Sequence, residues 1–292
     1  MISKTLQTKI DHSIALLQKG ERIALKYSDK GYHVAFSGGK DSQCILQLAK
    51  EAGVKHYAFM SLTSIDPPEV IRFVKSNYPE VELLKPKDSI YNLAVKHCYL
   101  PTRRARWCCN DLKETKFANT VQVIGVRHSE SFKRSKRNEM EISGHKFSGT
   151  EDEFYNEYSD YTETTSKCIK GKENIIVSPI ITWTEKEVWE YLNDRNLLYC
   201  KLYDEGARRI GCICCPMNGN KSEKLAEIRR YPHVYRNWIK AIKSIKAIKA
   251  NRKESFLVWK HTPEEIFDYW ISGDNYKKWY AENFLQQKLD FK

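Results

Sequence analysis

No stretch of this chain approaches the roughly 18 consecutive apolar residues that a membrane-spanning helix needs. Its first residues, Met1-Ile-Ser-Lys, lack the apolar core of a secretory leader. There is no internal repeat and no low-complexity linker. The expectation is therefore a cytoplasmic protein with no membrane partner. Acidic residues are also in deficit, since 37 Asp and Glu face 49 Lys and Arg, leaving +12. That excess implies an anionic partner, a nucleotide or a nucleic acid, although a generally basic surface would give the same figure. What remains is ordinary for a globular chain: 292 residues, 41% hydrophobic and 29% charged, enough for a sizeable core in one large domain or two modest ones.

A Walker A loop is absent too, because no pair of glycines has the required four-residue spacing before Lys-Ser/Thr. A different glycine loop is present in His33-Val-Ala-Phe-Ser-Gly-Gly-Lys-Asp-Ser42. Val34 to Phe36 reads as a buried strand, Ser37-Gly38-Gly39 as a turn, and Gln43 to Ala49 as the helix that follows. Strand, glycine turn and helix start together aim free backbone N–H groups and a helix dipole at an anion. The glycines admit a phosphate to the backbone, Ser37 and Ser42 add hydroxyls, and Lys40 adds a positive charge. Asp41 makes sense beside a phosphate if it helps hold a magnesium ion.

Along the rest of the chain, Leu6, Ile10, Ile14 and Leu17 predict an amphipathic helix ending near Gly20. Gly53 closes the helix after the glycine loop. Strands are predicted at Tyr57–Leu62, Val81–Leu84, Val121–Ile124 and Ile175–Val177, alternating with helices. One of these helices starts at Asp66-Pro-Pro-Glu69, with Asp66 at the N-cap, and another at the Thr184-Glu-Lys-Glu187 capping box. Alternation of this kind predicts an α/β fold with a parallel sheet, whose ligands lie beyond the carboxyl ends of the strands. Thr63 and Gly125-Val-Arg127 fall at such ends. Residues 143–172 read as a polar, tyrosine-rich insertion, and the chain after Pro216 reads as helical. There, Ile239, Ile242, Ile245 and Ile248 interleave with Lys240, Lys243, Lys246 and Lys249. A solvated lysine face is favoured over one that tracks phosphates.

Nine cysteines of odd count, clustered at 108–109 and 212–215, point to metal or sulfur chemistry and away from a disulfide framework. Cys108-Cys109 and Cys212-x-x-Cys215 supply four thiols, enough for zinc or an iron–sulfur cluster. The second C-x-x-C knuckle usual in a zinc ribbon is missing, and adjacent ligands suit a cubane better than one tetrahedral ion. Cys214 is a spare thiol, either structural, a fifth ligand or a sulfur carrier.

Ser37-Gly-Gly-Lys-Asp-Ser42 resembles the pyrophosphatase loop of the adenine-nucleotide α-hydrolase superfamily. Within it, Trp107-Cys-Cys109, Gly125-Val-Arg127 with Glu130-Ser131, Pro179–Trp189 and Gly211-Cys-x-Cys-Cys-Pro216 are similar to the phosphoadenosine phosphosulfate (PAPS) reductase family. The resemblance implies a Rossmann-like sheet flanked by helices over residues 1–217, with a helical extension over 218–292. It also implies an adenine nucleotide on Ser37, Gly38, Gly39, Lys40, Asp41 and Ser42, with adenine near Thr63 and with Gly125 among the nucleotide-binding residues. Arg127 would sit on phosphate or sulfate oxygens, and Cys108, Cys109, Cys212 and Cys215 would hold a [4Fe–4S] cluster. One departure is that sulfonucleotide reductases carry a catalytic cysteine in a C-terminal tail, whereas the last cysteine here is Cys215. The pattern in this respect resembles the ATP-pyrophosphatase subunits of DNA phosphorothioation systems.

The leading expectation is thus an ATP pyrophosphatase working in sulfur transfer, with Mg2+ and Lys40, Asp41, Arg127 and Cys214 in catalytic roles. Its expected partners are a DNA or tRNA acceptor and a cysteine desulfurase or another sulfur donor; oligomerisation is left open. Its rivals are an adenylylsulfate or phosphoadenylylsulfate reductase and a non-catalytic nucleotide-binding subunit of a modification complex.

Overall fold

The computed structural model describes residues 2–114, 117–142, 174–217, 219–254 and 256–285, so the expected insertion at 143–172 lies outside the described residues. In chain order the elements are α1 (Lys4–Tyr27), β1 (Tyr32–Ala35), α2 (Lys40–Glu51), β2 (His56–Ser61), α3 (Pro68–Asn77), β3 (Glu82–Leu84), α4 (Ile90–His97), β4 (Val121–Val123), β5 (Met140–Ile142), β6 (Ile175–Val177), α5 (Glu185–Asp194), α6 (Lys221–Arg230), α7 (Pro232–Asn251), α8 (Pro263–Ser272) and α9 (Tyr276–Tyr280). They form two compact units. The first comprises residues 1–61, 68–84 and 115–210, and the second 62–67, 85–114 and 211–292. Among the described residues no helix is long and apolar enough to cross a membrane.

The first unit is a Rossmann-like α/β fold around a six-stranded sheet of order β3-β2-β1-β4-β6-β5. All neighbours are parallel except β5, which runs antiparallel to β6 with Met140 opposite Val177. Tyr32, Val34, Val121, Val123, Ile175 and Val177 are all buried. Strands covered on both faces read as continuous apolar runs, which is why these were visible without alternation. β5 was not anticipated, because Met-Glu-Ile is too short to carry a periodic signal.

Two helix boundaries differ from expectation. α1 does not end near Gly20 but continues to Tyr27, because Ile23 and Ala24 extend the buried stripe of Leu6, Ile10 and Leu17. That burial outweighs the roughly 1 kcal/mol that an interior glycine costs a helix. α3 begins at Pro68, and the Asp66 carboxylate turns back to accept from the Thr63 N–H and hydroxyl at 2.6 and 2.9 Å instead of capping the helix. The capping boxes at Thr184 and Thr262 form as the residue types predict.

The second unit is helical. Along α7, Val234, Trp238, Ile242 and Ile245 recur at helical spacing and are buried. Trp238 packs against Tyr91 of α4 and Trp270 of α8, with ring centroids 5.0 and 4.8 Å away. The Trp270 indole N–H donates to the Pro101 carbonyl at 2.6 Å, whereas that of Trp238 is buried with no partner among the described residues. Trp238→Ala should therefore cost about 3–5 kcal/mol in urea unfolding. Trp238→Phe should cost less, because it keeps a six-membered ring in the aromatic contacts and removes the unpartnered N–H, although the lost pyrrole ring leaves a small cavity. Equal losses in the two variants would mean that packing at this ring is not what holds the helices.

Candidate functional site

In the first unit β1 lies between β2 and β4, so the loops leaving the carboxyl ends of β1 and β4 diverge and open a crevice between them. The β1 loop passes through Gly38 with φ +73°, where a Cβ would come within 2.7 Å of Val70 Cγ1. Only glycine meets both conditions. Ser42 Oγ accepts from the Ser37 N–H at 3.2 Å and donates to the Gly39 carbonyl at 2.7 Å, and the Ser37 hydroxyl donates to Ser42 Oγ. The two serines thus shape the loop. Gly39 is the N-cap of α2 and provides no capping side chain.

The Lys40 side chain is only 3% exposed. Its Nζ donates to the Arg208 carbonyl at 3.0 Å and lies 3.3 Å from Glu185 Oε1 and 3.9 Å from Asp41 Oδ2. Its backbone N–H donates to the Tyr203 hydroxyl at 3.0 Å. Burial among aromatic neighbours holds the Tyr203 phenol well above the usual tyrosine range, so it stays protonated.

Across the crevice, Arg127 Nε donates to Asp41 Oδ1 at 2.6 Å and its NH1 donates to Ser129 Oγ at 3.0 Å. Asp41, expected to be free for magnesium, is thus paired through one oxygen with a buried guanidinium. Gly125 makes the approach possible, since a Cβ there would meet the Asp41 carbonyl carbon and oxygen at 2.9 Å. The resulting cleft, about 420 Å³, is lined by the cations Lys40, Arg127, Arg134, Arg208 and Arg209 and the carboxylates Asp41, Glu130 and Glu185. This arrangement can hold a polyanion together with a divalent metal. Tyr203, Glu185 and Arg208 had not been singled out as site residues. Glu185 carries only the signal of the Thr184–Glu187 capping box; Tyr203 and Arg208 lie in the charge-rich run before Gly211, and nothing local shows that it folds over a loop more than 160 residues earlier in the chain.

Thr63, expected near adenine, hydrogen-bonds within its own unit. It belongs to the second unit and is absent from the cleft lining. Its hydroxyl donates to Asp66 and accepts from the Cys212 thiol at 3.3 Å.

The second unit also holds Cys108, Cys109, Cys212 and Cys215. Trp107–Cys109 forms one helical turn that widens into a π-helical turn over Asn110–Glu114. Cys108 lies within electrostatic reach of the other three thiols. A hydrogen bond from Cys108, with the Arg106 guanidinium 3.5 Å away, lowers Cys109 to about 5 and correspondingly raises Cys108. Burial pushes Cys212 up against the opposing pull of the Lys113 ammonium. Among the described residues no three His, Cys, Asp or Glu side chains are gathered so as to hold a metal ion. The donor chemistry nevertheless fits an iron–sulfur cluster: four thiols from two loops, with Arg106 and Lys113 beside them to offset thiolate charge.

Cys214 is a correction. Its thiol is 1% exposed in the helical core, its N–H donates to Glu227 Oε2 at 2.6 Å, and burial raises it to about 12. A buried, protonated thiol is a packing group and not a nucleophile.

The geometry can be set against known proteins. The phosphoadenosine phosphosulfate reductase domain family matches residues 31–218, from the start of β1 to just past the last cysteine. An uncharacterized protein of Methanocaldococcus jannaschii is 27% identical over 282 residues, covering 91% of this chain and 62% of its own. Adenosine 5'-phosphosulfate reductase of Oceanobacillus iheyensis is 28% identical over 155 residues, covering 50% of this chain and 54% of its own. The chain thus spans between half and two thirds of the length of these curated relatives. Among solved structures, PAPS reductase from Candida auris matches with a TM-score of 0.43 at 17% identity, over 73% of this chain and 96% of that one. The matched span takes in the glycine loop, the Arg127 loop and both cysteine pairs, and on it the chain belongs to the phosphoadenosine phosphosulfate reductase family.

Proposed function

We propose that this protein is an ATP pyrophosphatase that activates an anionic acceptor for sulfur transfer. One observation carries the reading: a glycine loop at the sheet's switch point shares a cleft with buried Lys40 and Arg127, five cations and three carboxylates in all. That balance suits a triphosphate with its metal better than a single sulfate. The loop and the N-terminus of α2 hold the phosphate chain. An acceptor oxygen attacks the α-phosphorus, the bond to the β-phosphate oxygen breaks, and pyrophosphate leaves with the electron pair. Lys40 and Arg127 stabilise the charge that develops there. Sulfur then displaces AMP from the activated acceptor, for which a DNA backbone or tRNA is the proposed class: either sulfide attacks directly, or a desulfurase persulfide attacks and a second thiol then cleaves the resulting S–S bond, leaving the thio-product.

Asp41 and Glu185 would hold magnesium, which supplies charge neutralisation on the phosphates. Cys108, Cys109, Cys212 and Cys215 would hold a [4Fe–4S] cluster, which supplies a redox-active, sulfide-binding centre. Neither unit alone accounts for both chemistries.

A second reading, reduction of adenylyl sulfate or its 3'-phosphorylated form, is favoured by the family and by the printed name of the Oceanobacillus relative. Among the described residues Cys214 lies in the core and no cysteine lines the cleft, so that reading needs a thiol other than these. Anaerobically purified protein given ATP and nucleic acid should release pyrophosphate. Sulfite from adenylyl sulfate, with no pyrophosphate from ATP, decides for the reductase, and nucleotide binding without either product decides for a non-catalytic subunit.

Gly125 offers a local check. Gly125→Ala drives a methyl into the Asp41 backbone, and overpacking of this kind costs about 1–3 kcal/mol. Because the strain falls on the Asp41–Arg127 contact, calorimetry should show ATP binding at least tenfold weaker. Unchanged affinity would place the nucleotide away from this crevice.

A further inference from the structure

The chain's positive charge is not shared evenly. The second unit carries 23 Lys and Arg against 13 Asp and Glu, which is +10 of the total +12. The first unit, with the cleft, is close to neutral. The charge that implied an anionic partner therefore sits largely in the unit that does not contain the cleft's cations.

Within the second unit α7 concentrates it. Its twenty residues include Arg236, Lys240, Lys243, Lys246 and Lys249 and no acidic residue. Two of these lysines are structural: Lys246 Nζ donates to the His261 carbonyl, and Lys249 pairs with Glu254 at 2.7 Å and is buried. Arg236, Lys240 and Lys243 are different. All three are exposed, and none makes an ion pair among the described residues. They stand at i, i+4 and i+7, on the side away from buried Trp238, Ile242 and Ile245. Seven residues of helix advance about 10 Å, roughly three phosphate steps of one strand along a duplex axis.

We infer that the Arg236–Lys240–Lys243 face of α7 docks the phosphate backbone of a nucleic acid. A helix that bound an acidic lipid surface would present an apolar face to it, and the apolar face of α7 is consumed by the core. The inference deepens the functional reading by naming where the acceptor is held, and rests on that reading only for the chemistry that follows docking.

The test is binding of the full chain to a fluorescent oligonucleotide across a salt series, as single strand and duplex. Arg236→Gln/Lys240→Gln/Lys243→Gln should weaken binding at least tenfold at low salt and flatten the slope of log K against log salt by about 2–3. A control, Lys55→Gln/Lys75→Gln/Lys186→Gln, removes three exposed lysines from the first unit and should leave both nearly unchanged. An unaltered slope in the α7 variant, an equal loss in the control, or binding to phosphatidylserine vesicles without binding to either oligonucleotide would each overturn the inference. ATP binding, measured on the same α7 variant, should stay at the wild-type level. Failure of docking with ATP binding intact sinks this inference alone, whereas loss of ATP turnover in unaltered protein sinks the functional reading.

Discussion

Lys40→Ala is expected to lower pyrophosphate release from ATP by roughly 10²–10³-fold, the usual consequence of deleting one preorganised group that meets developing charge. The side chain is 3% exposed, yet its charge is met on three sides by the Arg208 carbonyl, Glu185 and Asp41. A buried ammonium held this way does not need to be recruited from water when the phosphate arrives, so its contribution falls on the reaction itself. Removing it leaves little damage behind. Glu185 is 59% exposed and can be rehydrated, and the backbone N–H of residue 40 keeps its bond to Tyr203. Thermal unfolding should shift by only a few degrees while turnover falls, and that contrast separates a chemical role from a structural one. Lys40→Arg should not rescue, because the longer planar group does not fit the space between Glu185 and the Arg208 carbonyl. Pyrophosphate release at the parental rate from Lys40→Ala would end the assignment of chemistry to this loop.

The parts of this fold that could be read from the chain are those whose causes are local. The Ser37–Ser42 loop is specified by its own glycines, and the capping boxes at Thr184 and Thr262 by residues three apart. The short apolar runs at Val121 and Ile175 are strands because both of their faces are covered. What could not be read depends mostly on distant partners, with Asp66 the local exception. Gly20 looks like a stop signal until Ile23 and Ala24 find a core to enter. Asp66 looks like a helix cap until Thr63 offers two donors. Tyr203 and Arg208 close on Lys40 from more than 160 residues away, and no periodicity encodes that. Cys214 misled for a related reason. Its spacing within Cys212–Cys215 suggested chemistry, while its burial is set by Glu227 and Lys224 of α6. The division into units was equally hidden, because residues 62–67 and 85–114 join the helical unit although they are interleaved in sequence with strands of the sheet.

Cys109→Ser should abolish the iron of anaerobically purified protein, whereas Cys214→Ser should keep it. The parent protein is expected to be brown, with broad visible absorbance that bleaches in air and roughly four irons per chain, as a cubane requires. Cys109 is half-exposed, and hydrogen bonds from Cys108 and Arg106 hold its thiol well below the usual range, which favours the thiolate form that ligates metal. Serine in its place offers an alcohol that does not ionise, and the π-helical turn that follows should loosen with the metal lost, because ligation and local folding are coupled. Cys214 lies between two proposed ligands in sequence, yet its sulfur faces the Lys224 carbonyl and the helical core. Its serine variant should lose about 1–3 kcal/mol through an ill-satisfied buried hydroxyl and retain colour and iron content. The pair of variants therefore separates ligand from neighbour by metal content alone, with no appeal to turnover. A colourless parent protein with one zinc per chain would replace the cluster by a structural ion, and iron lost from Cys214→Ser as readily as from Cys109→Ser would return Cys214 to the ligand set.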